Sequence, residues 1–271
     1  MAYLNTIITG TGSYIPTEVV TNPDFAPNTF YDLNNVAFEI SHDEISEKFQ
    51  AITGISERRY VTDDLHASDI ASIAAARAIA DAKMDAEELD HVIVAHDFGD
   101  VTKDTIQTDM CPSLAARVKN KLAISNPQCV AYDLIFGCPG WIQGMIQANA
   151  FIMNGMAKKC LVIGTETLSR VVDVHDRDSM IYADGAGATI IESANEDHKR
   201  GFLSYVTESY TKEEAYYLYF GKSNIKGSDP KIRYLKMHGR KIYEFSLKYV
   251  PGAIQKCLEK AKLDLTDVKK I

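Results

Sequence analysis

A short stretch that occurs twice constrains this chain more than any other feature. Ala82-Lys83-Met84-Asp85-Ala86-Glu87-Glu88-Leu89-Asp90-His91-Val92 aligns without gaps with Ala261-Lys262-Leu263-Asp264-Leu265-Thr266-Asp267-Val268-Lys269-Lys270-Ile271. In each copy a helix ends, an acidic turn follows and a hydrophobic strand begins. The repeat predicts two similar halves: residues 1–200 form the first, and residues 201–271 start the second, which opens near Gly201 with the run Phe202-Leu203-Ser204-Tyr205-Val206. Ile271 matches the beginning of a strand in the first copy. The second half is therefore expected to be incomplete, by roughly 80 to 100 residues on the scale of ordinary domains.

Helix and strand patterns alternate between the two copies, which predicts an α/β fold of layered helices and sheet. Thr6 to Pro16 reads as a buried strand running into a glycine and proline turn. Its Gly10-Thr11-Gly12 lacks the remainder of a dinucleotide fingerprint. Residues 22–42, rich in Asn, Pro and Phe, read as a long loop. A helix is predicted over Asp43–Thr53, stopped by Gly54, and an alanine-rich helix from an N-cap at Ser68 to about Lys83. Strands are expected at Val92–Ala95, Cys129–Leu134 and Cys160–Gly164, and helices at Ser113–Leu122 and from Pro139 to Asn154. Asp184-Gly185-Ala186-Gly187-Ala188 reads as a tight turn between strands, because it feeds Thr189-Ile190-Ile191 and lacks the Lys-Ser/Thr ending of a phosphate loop.

Charge and composition remove whole classes of function. A net charge of −8 and the lack of a basic cluster interleaved with aromatics argue against nucleic acid. No apolar stretch reaches membrane-spanning length and no signal-peptide pattern opens the chain, so a cytoplasmic protein without membrane insertion is expected. The five cysteines, Cys111, Cys129, Cys138, Cys160 and Cys257, have neither zinc-site pairing nor the density of a disulfide scaffold, so no metal is expected.

Cys138 stands apart from the other four by its setting. Phe136-Gly137-Cys138-Pro139-Gly140-Trp141 joins a predicted strand to a predicted helix, where a sharp turn can hold a nucleophile above a sheet. Proline is tolerated in the first turn of a helix because its missing N–H would be unpaired there. A thiol at a helix N-terminus is biased toward the thiolate by the macrodipole and free N–H groups. Such a thiolate can attack an acyl thioester, with its own backbone N–H helping to hold the oxyanion. None of His42, His66, His91, His96, His175, His198 and His238 has a spacing that marks it as a catalytic partner. A series of basic residues, Arg240, Lys241, Lys248, Lys256 and Lys260, follows one long helix from about Gly239 to Lys262, either as a solvated face or as a surface for an acidic partner.

Several ordered segments resemble one family. Ile8 to Pro16, Thr53-Gly54-Ile55-Ser56-Glu57-Arg58-Arg59, Asp133 to Trp141, Asp184 to Ala188 and Met237 to Tyr243 are similar to β-ketoacyl-acyl-carrier-protein synthase III, a ketosynthase of the thiolase-like fold. The resemblance covers nearly the whole chain. It implies a layered αβαβα architecture of two halves related by a pseudo-twofold, a homodimer, and an acyltransferase of fatty-acid biosynthesis that needs no cofactor. In that reaction Cys138 would take an acyl group from acyl-CoA and pass it to the carbanion formed by decarboxylation of malonyl-acyl carrier protein. A histidine and an asparagine used in the second step are expected beyond Ile271.

The resemblance also implies secondary roles, some of which this sequence alters. Arg177 stands where an arginine stacks on the CoA adenine, but Lys48 replaces the tryptophan opposite and Ile52 a second arginine. Cys111 replaces a large aromatic that closes the acyl pocket from the dimer mate, implying a primer longer than acetyl, and Trp141 lines the substrate site. Glu244 stands where a basic residue docks the carrier protein, leaving Arg240 and Lys241 as substitutes. An acyltransferase of the same fold without condensation, a cysteine hydrolase and a non-catalytic carrier-protein-binding member remain open on the residues alone. Phe136 in place of the first elbow glycine counts against the hydrolase.

Overall fold

A computed structural model of the chain describes residues 2–270; Ile271, the end of the second repeat copy, lies outside the described residues. The strands are β1 (Tyr3–Tyr14), β2 (Glu18–Thr21), β3 (Glu57–Tyr60), β4 (His91–Ala95), β5 (Asp100–Val101), β6 (Thr108–Asp109), β7 (Val130–Leu134), β8 (Lys159–Thr167), β9 (Asp184–Glu196), β10 (Leu218–Gly221) and β11 (Tyr234–Met237). The helices are α1 (His42–Thr53), α2 (Ala67–Ala82), α3 (Leu114–Lys121), α4 (Gly140–Met153) and α5 (Gly239–Ala261). Five strands form a mixed sheet in the order β1-β9-β8-β4-β7. Within it β4 runs parallel to β7 and β8, and β9 runs antiparallel to β8 and β1.

The alternation of side chains along the strands divides the interior into two apolar layers. Val92, Val94, Leu161, Ile163 and Ile190 face α2 and α3, while Ile93, Cys160, Val162 and Ile191 face α4. The result is helix, sheet and helix in three layers, the α/β organisation expected from the alternating pattern. A separate apolar cluster of Phe25, Phe30, Ile45, Phe49 and Met180 lies where residues 22–42 and α1 meet the segment before β9. The long polar-looking loop is thus pinned by its phenylalanines.

Several local expectations are corrected. Gly10 and Gly12 belong to the interior of β1 and make no turn. A Cβ on Gly10 would lie 2.3 Å from the Ala78 carbonyl oxygen, and one on Gly12 2.2 Å from that of Ala74, so the two glycines let the backbone of α2 rest on the strand. Asp184 to Ala188 is likewise strand, the beginning of β9. It is held on both sides, with Gly187 opposite Ser13 in β1 and Gly164 in β8, so its small residues mark a central strand. Ser68 lies inside α2 because its amide and hydroxyl both donate to the buried Asp100 carboxylate; His66 takes the cap position with Asp69. Residues 202–206, the run that follows Gly201, lie alongside β1 and α5 through Phe202 N–H to Thr6 O and Ser204 Oγ to Cys257 O.

Candidate active site

Three parallel strand ends converge on the Cys138 turn. β7 ends at Leu134, and α4 starts at Gly140 with Pro139 as its N-cap residue. Between them Gly137 takes φ +69°, a left-handed conformation in which a side chain would be strained, and its carbonyl accepts the Gly140 N–H at 2.9 Å. This reversal leaves Cys138 exposed immediately ahead of the helix. The Cys138 amide donates to no acceptor among the described residues, so it is available to a developing oxyanion.

Close packing under the turn is also achieved by removing side chains. A Cβ on Gly140 would meet that of Ala95 at 2.9 Å, and one on Gly144 the Val162 Cγ1 at 2.7 Å. α4 therefore sits low on β4 and β8 and aims its N-terminus at the strand ends. Trp141 follows in the first turn, partly exposed, its Cβ 3.3 Å from where a Gly164 Cβ would stand.

The supporting network reaches across the sheet. Gly137 N–H donates to Asp97 Oδ1 at 3.0 Å, and Asp97 and Phe98 N–H both donate to Glu166 Oε1, at 2.5 and 3.3 Å. Burial pushes the Glu166 carboxyl up to about 7, the nearby Asp97 charge adding to the effect of desolvation. Beside it His96, buried, accepts the Gly99 N–H on Nδ1 at 3.0 Å, which leaves Nε2 to donate to Asp133 Oδ2 at 2.8 Å. Burial opposes the Asp133 charge, yet His96 and the Leu114 and Ala115 N–H groups at the start of α3 hold its carboxyl below the ordinary value. His96 is thus engaged in fixing β4, β7 and α3 together.

Tyr182, in the segment before β9, lies near Cys138. Its ring packs with Phe98 and Leu168 against Val101, Val171 and Leu235. Its hydroxyl is buried without a hydrogen-bond partner among the described residues. Burial drives the phenol upward, reinforced by Asp178, Asp176 and Cys138, so it remains protonated.

The other cysteines occupy different environments. Cys129 and Cys160 are buried and burial pushes both thiols up, to about 12 at Cys160. Cys257 is half-buried against Ser204, and Cys111 is exposed before α3, its N–H donating to Asp109 Oδ1. Arg177 lies 5.7 Å over the Phe38 ring and pairs with Asp178 at 2.9 Å, whereas Lys48 is paired with Glu44 and Ile52 is exposed. At the start of α5, Arg240 pairs with Glu244 at 2.8 Å and Lys241 sits over Tyr217. No group of three His, Cys, Asp or Glu suited to a metal occurs among the described residues.

Asp97, Glu166 and Tyr182 were not marked by local sequence. The one available signal is that Glu166 ends an apolar strand run, and the carboxyl ends of parallel strands are where α/β proteins place their sites.

Known proteins share this fold over most of their length. Residues 132–211, which carry the Cys138 turn, match the family model of 3-oxoacyl-[acyl-carrier-protein] synthase III. A β-ketoacyl-[acyl-carrier-protein] synthase III from Halalkalibacterium halodurans is 34% identical over 263 residues, covering 96% of this chain and 72% of that protein. One from Caldanaerobacter subterraneus is 32% identical, with 96% and 73% covered. The crystal structure of 3-oxoacyl-[acyl-carrier-protein] synthase III from Aquifex aeolicus superposes with a TM-score of 0.75 at 28% identity, covering 97% of this chain and 74% of that one. The chain belongs to the β-ketoacyl-[acyl-carrier-protein] synthase III family and has its thiolase-like α/β fold.

Proposed function

We propose that the protein performs the decarboxylative condensation of an acyl-CoA primer with malonyl-acyl carrier protein, with Cys138 as the covalent nucleophile. The observation that carries this reading is the left-handed Gly137 turn, which places an exposed thiol at the N-terminus of α4 with its own amide unspent. The Cys138 thiolate adds to the thioester carbonyl, the Cys138 N–H stabilises the oxyanion, and the C–S bond to CoA breaks with the CoA sulfur taking a proton. Loss of CO2 from the malonyl group then supplies the electron pair that forms the new C–C bond and expels the Cys138 thiolate. The acyl-CoA is a substrate, and no cofactor enters either step.

Further roles belong to the same reading. Trp141 borders the acyl site one turn from Cys138, Arg177 meets the CoA nucleotide, and Cys111 leaves room for a primer longer than acetyl. Arg240 and Lys241 at the start of α5 meet the acidic carrier protein. Residues 1–200 are the nucleophile-bearing half and residues 201–271 the start of the second. A homodimer would pair β7 with its copy: β7 is an edge strand of the sheet, Val130 at its start is 49% exposed, and Ile135 and Phe136 just past its end are 56% and 41% exposed. The five unpaired cysteines suit a reducing, cytoplasmic setting. No helix among the described residues is long and apolar enough to cross a membrane.

Intact-mass measurement after incubation with acetyl-, butyryl- and hexanoyl-CoA tests the nucleophile: the wild-type protein gains one acyl group and Cys138→Ala gains none. An adduct that persists in Cys138→Ala refutes the assignment. Acylation without CO2 release from malonyl-carrier protein would leave an acyltransferase and refute condensation.

A further inference from the structure

Resting on Cys138 as the acylated nucleophile, we propose that Glu166 is a positioning residue whose carboxylate, acting through the Asp97 peptide, holds the Cys138 turn in the geometry that attack requires. The path is short and continuous. Glu166 Oε1 accepts the N–H groups of both Asp97 and Phe98, which fixes the direction of the Asp97 side chain. Asp97 Oδ1 in turn accepts the N–H of Gly137, the left-handed residue on which the turn depends. β8, β4 and β7 are adjacent, so the network ties the ends of three strands to the nucleophile.

Folding alone does not favour an ionised carboxyl here. The titratable groups around Glu166 are Asp97 and His96, at the end of β4. Its partner on β9 is Gly185, and the neighbouring Asp184 is engaged by Ser169 and the Val61 N–H. From α4 the nearby side chain is the uncharged Trp141, packed at Gly164. With a folded value of about 7 above an ordinary 4.5, Glu166 contributes stability that is fully present below about pH 4.5 and lost as pH rises through about 7. Above that pH the protein carries an ionised group that burial disfavours, in the form that accepts two N–H groups best. Such stored cost clusters at functional sites.

Glu166→Gln keeps the shape and a neutral acceptor while removing the charge. The test follows the rate of Cys138 acylation by hexanoyl-CoA from about pH 5.5 to about pH 9, with intact-mass readout and thermal melting in parallel. Wild type should gain rate as pH rises through about 7 beyond the gain that thiolate formation at Cys138 gives, and Glu166→Gln should lose that additional gain. At about pH 8 the variant should acylate about 10- to 100-fold more slowly, reach the same final adduct and melt no lower than wild type. A wild-type rate and pH profile in Glu166→Gln overturns the proposal, as does slowing accompanied by a lower melting temperature and an unchanged profile. If Glu166→Gln does not fold, Asp97→Ala decides: it removes the acceptor for Gly137, so similar slowing supports the proposal and a wild-type rate overturns it. Absence of any adduct on the wild-type protein would refute the Cys138 reading, and this proposal with it.

Discussion

The two repeat copies have the same backbone and opposite surroundings. α2 ends on Lys83 in the left-handed region, φ 54° and ψ 38°, and α5 ends on Lys262 at φ 60° and ψ 43°. Lys83 and Met84 N–H donate to Ala80 and Ile79 carbonyls; Lys262 and Leu263 N–H donate to Glu259 and Leu258. Asp85 and Asp264 then open matching 3-10 turns, closed by Glu88 and Asp267 reaching back to their amides. Yet α2 buries Ala67, Ser68, Ile70, Ala71, Ala74, Ala75 and Ala78, whereas α5 has no buried residue. Local sequence is enough to make a helix and stop it; a sheet is needed to bury it. Residues 201–271 are held to the first half by the apolar contact of Leu235 with Val101 and Val171 and by a polar joint, in which Lys236 of β11 meets Asp173 at 2.5 Å, Asp176 at 2.9 Å and Asn224 at 2.9 Å.

Lys236→Met should break the comparison most severely. Lys236 and Asp173 are both about fully buried, so the change leaves two carboxylates without their cation and costs about 3–5 kcal/mol in chemical denaturation. Burial works against the Asp173 charge, but Lys236 and the Asn224 N–H hold its carboxyl below the ordinary value. Its contribution is therefore present above the ordinary carboxylate range and lost as pH falls through the depressed folded value, an acid dependence that Lys236→Met should abolish.

Gly12→Ala comes next. Its Cβ meets the Ala74 carbonyl, a backbone atom that cannot swing away, so α2 must lift from β1 at about 1–3 kcal/mol, read as a fall in thermal midpoint. Gly252→Ala, inside the unburied α5, has no atom within 4 Å of the new Cβ. It should act in the opposite direction and stabilise the helix by about 1 kcal/mol. Equal destabilisation by the two alanines would show that α5 is packed as α2 is. The smallest effect is expected from Lys83→Gly and Lys262→Gly, each relieving left-handed strain by about 0.5 kcal/mol. Hydrogen exchange should nevertheless separate the copies, with Met84 N–H protected far longer than Leu263 N–H, because opening α2 disrupts the core.

Much of the first half was legible because its signals are local. The apolar runs at Val92–Ala95 and Cys160–Gly164, the stop at Gly54 and the Ser113 cap all stand where the sequence indicates, and Cys138 sits on the strand-to-helix turn expected for it. The errors share one cause. Gly10, Gly12, Gly185 and Gly187 read as turns because glycine permits them, but each lies in a strand. At Gly10 and Gly12 the reason is a helix packed directly above, which no neighbour in sequence announces. Ser68 reads as a cap until Asp100 claims its hydroxyl. The Glu166, Asp97 and Gly137 path joins residues far apart in the chain, so only the alignment of strand ends brings it together.

The sequence by itself determined the repeated helix stop, the acidic turn after it and the turn that exposes Cys138, because each is closed by hydrogen bonds within a few residues. Only the tertiary structure decided that the helix leading into the first copy is buried in the core while the helix leading into the second has no buried residue, and that a half-buried glutamate holds the nucleophile's turn. Burial and desolvation depend on what distant segments bring, and identical local geometry carries no record of them.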